Sequence, residues 1–328
     1  MGLVTWGIII ALHSVPWGFA SKHYTRVGKG RDPTNPWSRT LSETLLDAAD
    51  LCFNFRGIGW DITKRNSVIK RVHTDIPSKP GRARTLAFLQ KSLNQYLFSV
   101  FVFEMSWVVI KLLFHEDGSL RDFTGKYLWG VVPLKPLALF GRSSLYPATA
   151  YGVLNGDYAV CQVIGVLILG QDPDEWPPLF DNPLLSSSLS ELWGQRWHQT
   201  YRDMFGFTGG RLFGRVLGFG RPGYVLGTFL MSGIYHEVVM WGTVRVGGLC
   251  CHPIFIFLLN GVGVMLEAGW YRLTGRKVGG WAGRIWMYAW GVVTMSTIVN
   301  EESCMKEMMF ASVKGNPMVR PFSTTLGF

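Results

Sequence analysis

"PGYVLGTFLMSGIYHEVVMWGTV" (Pro222–Val244) is almost wholly apolar, and its only acid and only histidine stand side by side as His236-Glu237. A helix of this length crosses a hydrocarbon core, which takes about 20 apolar residues. Further stretches of the same kind flank it. Leu3–Ala20 comes first, then Tyr96–Phe114, which carries Glu104 and Lys111. Tyr127–Gly141 is broken by Pro133 and Pro136, and Ala148–Gly170 contains Asp157. Pro253–Tyr271 and Trp281–Val299 close the series. The reading is one all-α polytopic membrane domain over residues 1–328, a bundle of about 7–8 transmembrane or re-entrant helices. Composition agrees: 48% of residues are hydrophobic and 16% charged, where a soluble chain carries about a quarter charged. Gly223 and Gly227 stand four apart, a spacing that lets helices approach closely.

Charge is unevenly spread. The formal net charge is +10, and residues 21–95 hold fourteen Lys/Arg against six Asp/Glu, which places +8 of it there. No nucleic-acid-binding motif accompanies this block, so nucleic acid is not an expected partner. In a membrane protein such a segment reads as a cytosolic loop. No Lys or Arg precedes Leu3–Ala20 and a basic block follows it, the reverse of a secretion signal; a retained helix is expected. Inside the loop, Ser42 can cap a helix in which Leu41, Leu45, Leu46 and Ala49 recur at helical spacing, a candidate for lying on the membrane surface. Further along, residues 115–122 and 171–183 are acidic, whereas 202–221 and 272–284 are basic. Alternation of sign predicts alternation of side, provided that residues 184–201 return through or into the membrane.

That proviso falls on "LSELWGQRWHQTYRD" (Leu189–Asp203), the richest polar and aromatic run in the chain. At membrane depth such a run is tolerable only where it faces protein or a water-filled cavity. His198 is the candidate for chemistry within it. The bland alternative is an interfacial belt, with Trp193 and Trp197 at the headgroups and Arg196 and Arg202 touching them. His236, in the middle of an apolar span, is a functional candidate by position; its bland alternative is a packed histidine bonded to a neighbouring helix. Glu237 points about 100° away from it. "HQTYRD" also reads as His-x4-Asp, a pattern in which a carboxylate orients a histidine base, but six residues carry little weight.

Other readings fall away on spacing. The five cysteines, Cys52, Cys161, Cys250, Cys251 and Cys304, form no CxxC pair, so no metal site is expected. The seven histidines form no tight boxes. "GFGRPG" (Gly218–Gly223) matches GxGxxG but leads into a span and contains Pro222, which makes it a loop or hinge. Glu104 and Asp157, with His236, would be the proton path of a transporter, the alternative from another class.

Three stretches together resemble the wax-synthase-like branch of the membrane-bound O-acyltransferases: "RGIGW" (Arg56–Trp60), "LWGQRWHQTYRDMF" (Leu192–Phe205) and "SGIYHE" (Ser232–Glu237). The resemblance is nearest to fungal members that acylate natural-product alcohols, often terpenoids. It implies helices around a central tunnel in an internal membrane such as the endoplasmic reticulum. It also implies acyl-CoA as co-substrate, with acetyl-CoA the first expectation, no bound cofactor or metal, and a lipophilic alcohol as acceptor. A long-chain alcohol, as in wax-ester synthesis, is the alternative acceptor. The family's base position matches His236 and its second signature position matches His198. Trp193, Arg196, Trp197, Gln199, Arg202 and Tyr235 then become substrate-binding candidates. "RGIGWDITKR" lacks the second Trp usual after this motif, and the chain is short for the branch. The chemistery implied is alcohol attack on a thioester, which needs a base at the hydroxyl, donors at the oxyanion and exclusion of water.

Overall fold

The computed structural model describes residues 40–53, 81–113, 115, 121–128, 132–244 and 252–299. The expected span Leu3–Ala20, most of the basic loop with Arg56–Trp60, and the Cys250-Cys251 pair lie outside the described residues.

Helix α1 (Leu41–Phe53) starts with a reciprocal cap. Thr40 Oγ1 accepts the Glu43 amide at 3.3 Å, and the Glu43 carboxylate accepts the Thr40 amide at 3.0 Å. The cap is therefore Thr40, two residues before the expected Ser42, because only Thr40 has a glutamate three positions on. Leu41 and Leu45 are both exposed.

Helices α2 (Arg82–Leu113) and α3 (Leu134–Leu167) form the longest pair. A two-strand ribbon, Tyr127–Leu128 with Val132–Pro133, precedes α3. Ser92, Ser99 and Ser106 repeat every seven residues on α2 and are all buried. Each hydroxyl donates to the carbonyl four residues back, so the stripe is narrow and internally satisfied. Small residues on α3 meet it: a Cβ on Gly152 would sit 3.0 Å from the Ser99 carbonyl oxygen. Asn155 locks the register, accepting from Gln95 Nε2 at 3.0 Å and donating to Ser99 Oγ at 3.0 Å.

Of the two expected breaks, Pro133 lies in the ribbon before α3 and Pro136 does not interrupt the helix, which also runs through Pro147. Tyr127–Gly141 and Ala148–Gly170 were separate spans by sequence, whereas residues 134–167 are one helix. Pro136 falls in the first turn, where an amide has no intrahelical partner anyway, and Pro147 removes a single rung. This merger changes the parity of everything downstream. The acidic loop 171–183 returns to the end of the bundle where α2 begins, and Arg84 of α2 pairs with Asp172 at 3.5 Å and with Asp174. The expected placement of basic and acidic loops on opposite sides fails here: 171–183 shares an end with the basic start of α2. Orientation follows Lys and Arg rather than acids, so the two charge signs can share a side.

Helices α6 (Gly220–Val244), α7 (His252–Thr274) and α8 (Gly280–Val299) complete the bundle. Gly233 of α6 lies against Ile254 and Gly261 of α7 against Phe229, so the two run antiparallel. Ser143 of α3 donates to the Val292 carbonyl of α8. Among the described residues, α2 and Pro253–Thr274 within α7 are long and apolar enough to cross a membrane.

The polar run lies between α3 and α6 as a descending and an ascending limb. The descending limb is a short helix, α4 (Leu189–Glu191), continued by a wide turn over Leu192–Arg196. The ascending limb is α5 (Arg202–Phe205), continued by a wide helix over Gly206–Val216. Descending contacts begin at Glu267 of α7 and reach Asn260, about 10 Å along the axis at 1.5 Å per residue. On α6 the tip meets Tyr235 through Tyr201. The ascending limb climbs α6 through Gly209 on Gly227 and Gly214 on Gly220. Both flanks thus reach the same end of the bundle, so residues 184–216 form a re-entrant element rather than a crossing. The Gly218–Gly223 stretch is a turn into α6, with positive φ at Gly218 (76°) and Gly220 (64°).

Candidate active site

The tip of the re-entrant element meets the middle of α6 and α7 around a cavity of about 290 Å³. Both His198 and His236 line it, as do Trp193, Trp197, Gln199, Tyr201, Arg202, Thr228, Phe229 and Phe257.

His236 is held by its own helix. Its Nδ1 lies 2.7 Å from the Ser232 carbonyl oxygen. A carbonyl only accepts, so Nδ1 carries the proton and Nε2 carries the lone pair. The ring stacks on Phe257 of α7 at 4.3 Å and 28°, which fixes its plane. Glu237, next in sequence, is buried and is not among the residues lining the cavity.

His198 is held by aromatic edges. Phe180, Trp197 and Tyr201 lie 5.8, 5.7 and 6.1 Å from it, centroid to centroid. These contacts close a ring around the cavity wall. From Tyr201 the path runs to Tyr235 at 4.8 Å, to His236 at 5.4 Å and to Phe257. It returns by Trp193 at 5.8 Å and Trp197 at 6.0 Å. Side chains of this kind keep bulk water out and leave few polar groups to orient a ligand.

The polar residues of the run divide into two groups. Gln199 Nε2 donates to the carbonyls of Trp193 (3.1 Å) and Trp197 (2.7 Å). Arg202 Nη1 donates to the Gly194 carbonyl at 3.0 Å and to Gln199 Oε1 at 3.2 Å. Both residues therefore knit the tip together while lining the cavity. Arg196 faces elsewhere: its Nε donates to Glu191 at 2.6 Å and its Nη1 to the Asp181 carbonyl at 3.1 Å. Burial pushes the Glu191 carboxyl up, but hydrogen bonds from Ser187 and the Arg196 guanidinium outweigh it and hold the group below the usual glutamate range. Tyr235 is one ring behind the cavity, against Tyr201 and Phe205. Asp203 of the His-x4-Asp pattern is exposed and does not line the cavity.

Several residues at or behind the cavity are not among the candidates that the sequence singles out. Asn260 accepts from Trp193 Nε1 at 3.1 Å, and Glu267 accepts from the start of α4. Both are polar groups inside an apolar span, the same signal that singled out Glu104 and Asp157. Phe257, Phe229 and Thr228 gave no signal beyond belonging to a span. Glu104 and Asp157 themselves sit on α2 and α3 and do not line the cavity. Among the described residues, no group of three His, Cys, Asp or Glu is placed to hold a metal ion.

The family described as "Membrane bound O-acyl transferase family" matches residues 176–259, which include every residue lining the cavity except Val264. Over these residues the chain is similar to the membrane-bound O-acyltransferases. It is an acyltransferase, and the family it resembles is integral to membranes. Acetyltransferase eriL of Hericium erinaceus is 21% identical over 313 residues, 83% of this chain and 78% of that protein. Acetyltransferase spyB of Aspergillus fumigatus is 28% identical over 131 residues, 36% of this chain and 22% of its own length. A long-chain-alcohol O-fatty-acyltransferase of Simmondsia chinensis is 32% identical over 117 residues, 34% of this chain and 32% of its own. No solved structure matches.

Proposed function

We propose that this membrane-bound O-acyltransferase moves an acetyl group from acetyl-CoA to a hydroxyl of a lipophilic alcohol, of the terpenoid type, in the endoplasmic reticulum membrane. The observation that carries it is the convergence of His236 and His198 on one aromatic-walled cavity. His236 Nε2 takes the proton of the acceptor hydroxyl as its oxygen attacks the thioester carbon. His198 donates toward the carbonyl oxygen as negative charge develops there. The tetrahedral intermediate then collapses, the C–S bond breaks, and the proton on His236 passes to the departing CoA sulfur. No covalent acyl-enzyme is formed. Arg202, which lines the cavity and is exposed, faces the anionic end of the donor.

Acetyl rather than long-chain transfer is favoured by coverage: the similarity to eriL runs over 83% of the chain. Likeness to the Simmondsia protein, confined to 34% of it, keeps a long-chain alcohol as the second acceptor reading. The transporter reading has less support, because Glu104 and Asp157 do not line the cavity that holds His236. Purified protein in detergent, given labelled acetyl-CoA and a panel of terpenoid and long-chain alcohols, tests the proposal by mass spectrometry of the esters. An acetyl ester of a terpenoid alcohol is expected. A long-chain ester alone would reassign the acceptor, and no ester with any alcohol would remove the reading.

A further inference from the structure

Glu267 is buried near the carboxyl end of α7, with 6% of its surface exposed. It gathers four donors. Oε1 accepts the Leu189 amide at 2.7 Å and Trp286 Nε1 at 3.0 Å. Oε2 accepts the Ser190 amide at 2.9 Å and the Ser190 hydroxyl at 2.6 Å. A buried carboxylate is costly without partners, and here all four are neutral donors aimed at its two oxygens. Three of the four belong to the first residues of the descending limb. The carboxylate is therefore the point at which the re-entrant element is fastened to α7.

From that point hydrogen bonds run along the limb as far as His198. Ser188 Oγ accepts the Glu191 amide at 3.0 Å. Trp197 N donates to the Leu192 carbonyl at 2.8 Å, and Gln199 Nε2 bonds the carbonyl on the amino-terminal side of His198. Asn260, seven residues before Glu267 and on the same face of α7, holds Trp193 halfway down. Gly263 lies between them, and a Cβ there would meet Leu189 and Trp290. We propose that Glu267 is a positioning residue for the acyl transfer, fixing His198 in the cavity by clamping Leu189 and Ser190. This rests on the reading of His198 given above. Glu267 itself does not line the cavity and touches no substrate. Exchange of one carboxylate oxygen for an amide NH2 turns an acceptor of two donors into a third donor facing them. The limb must then shift, and the tip with it.

The test has a readout independent of turnover. The full-length protein in detergent is labelled with diethyl pyrocarbonate, and the modification rates of His198 and His236 are read by peptide mass spectrometry. Glu267→Gln is expected to raise the rate at His198 several-fold and leave His236 unchanged. Trp286→Phe, which removes the one donor outside the limb, is expected to leave both rates at wild-type values. With acetyl-CoA and an alcohol, Glu267→Gln is expected to lower kcat by about 10²-fold, the scale of a small misplacement of a reacting group, with KM for acetyl-CoA unchanged. A wild-type His198 rate in Glu267→Gln overturns the proposal, and so does Trp286→Phe raising it equally. If Glu267→Gln does not accumulate, Ser190→Ala removes one donor alone: a raised His198 rate supports the clamp and an unchanged rate overturns it. If the wild type transfers no acyl group, the catalytic reading falls and the labelling still decides the clamp.

Discussion

At the scale of the residue, the two imidazoles are set up differently. His236 has its tautomer fixed by a backbone carbonyl and its plane by Phe257, which suits a base. His198 is surrounded by ring edges and has its flanking residues pinned, which suits a donor. His198→Ala should lower kcat by about 10²–10³-fold, the scale of losing one oxyanion donor, as read by the initial rate of ester formation. The two arginines should also separate. Arg202→Ala is expected to raise KM for acyl-CoA. Arg196→Ala is expected to leave KM alone and reduce stability by about 1 kcal/mol, seen as a lower melting temperature, because its partners are Glu191 and Asp181. The Glu191 carboxyl lies below its ordinary range when folded. Its contribution is present above the unfolded value of about 4.3 and is lost as pH falls through the lower folded value. Glu191→Gln should flatten that acid limb of the melting curve.

At the scale of the element, glycines decide how closely the ascending limb lies on α6. A Cβ on Gly209 would run into the Gly227 carbonyl oxygen, and one on Gly227 into the Gly209 carbonyl oxygen. Gly209→Ala should destabilise the protein by about 1–3 kcal/mol, the usual cost of overpacking, measured by thermal unfolding. Among the described residues, the expected spans Tyr96–Phe114, Pro222–Val244, Pro253–Tyr271 and Trp281–Val299 fall in α2, α6, α7 and α8, as long apolar runs favour helices in lipid. The sequence did not foretell that residues 134–167 are a single helix, because a proline in the first turn of a helix and one that breaks a helix look alike to a pattern reading. That one error reversed the side expected for residues 171–183. The re-entrant element was legible only as a contradiction, polar residues where the charge order demanded membrane. Its two-limbed path needed Glu267 and Asn260, whose partners lie 78 and 67 positions away in the chain.

At the scale of the whole molecule, the cavity lies where three elements from distant parts of the chain meet, the re-entrant tip, α6 and α7. The α2–α3 pair stands outside it, bound through its own serine and glycine stripe. Glu104→Gln and Asp157→Asn should therefore leave acyl transfer at the wild-type rate, assayed in reconstituted vesicles. Proton-driven flux in the same vesicles without CoA release would instead favour transport. The most direct measurement of the central claim is the initial rate of ester formation by His236→Ala, compared with wild type at equal folded protein and equal melting temperature. A loss of about 10²–10⁴-fold is expected, the contribution of a general base. A wild-type rate from that variant would contradict it.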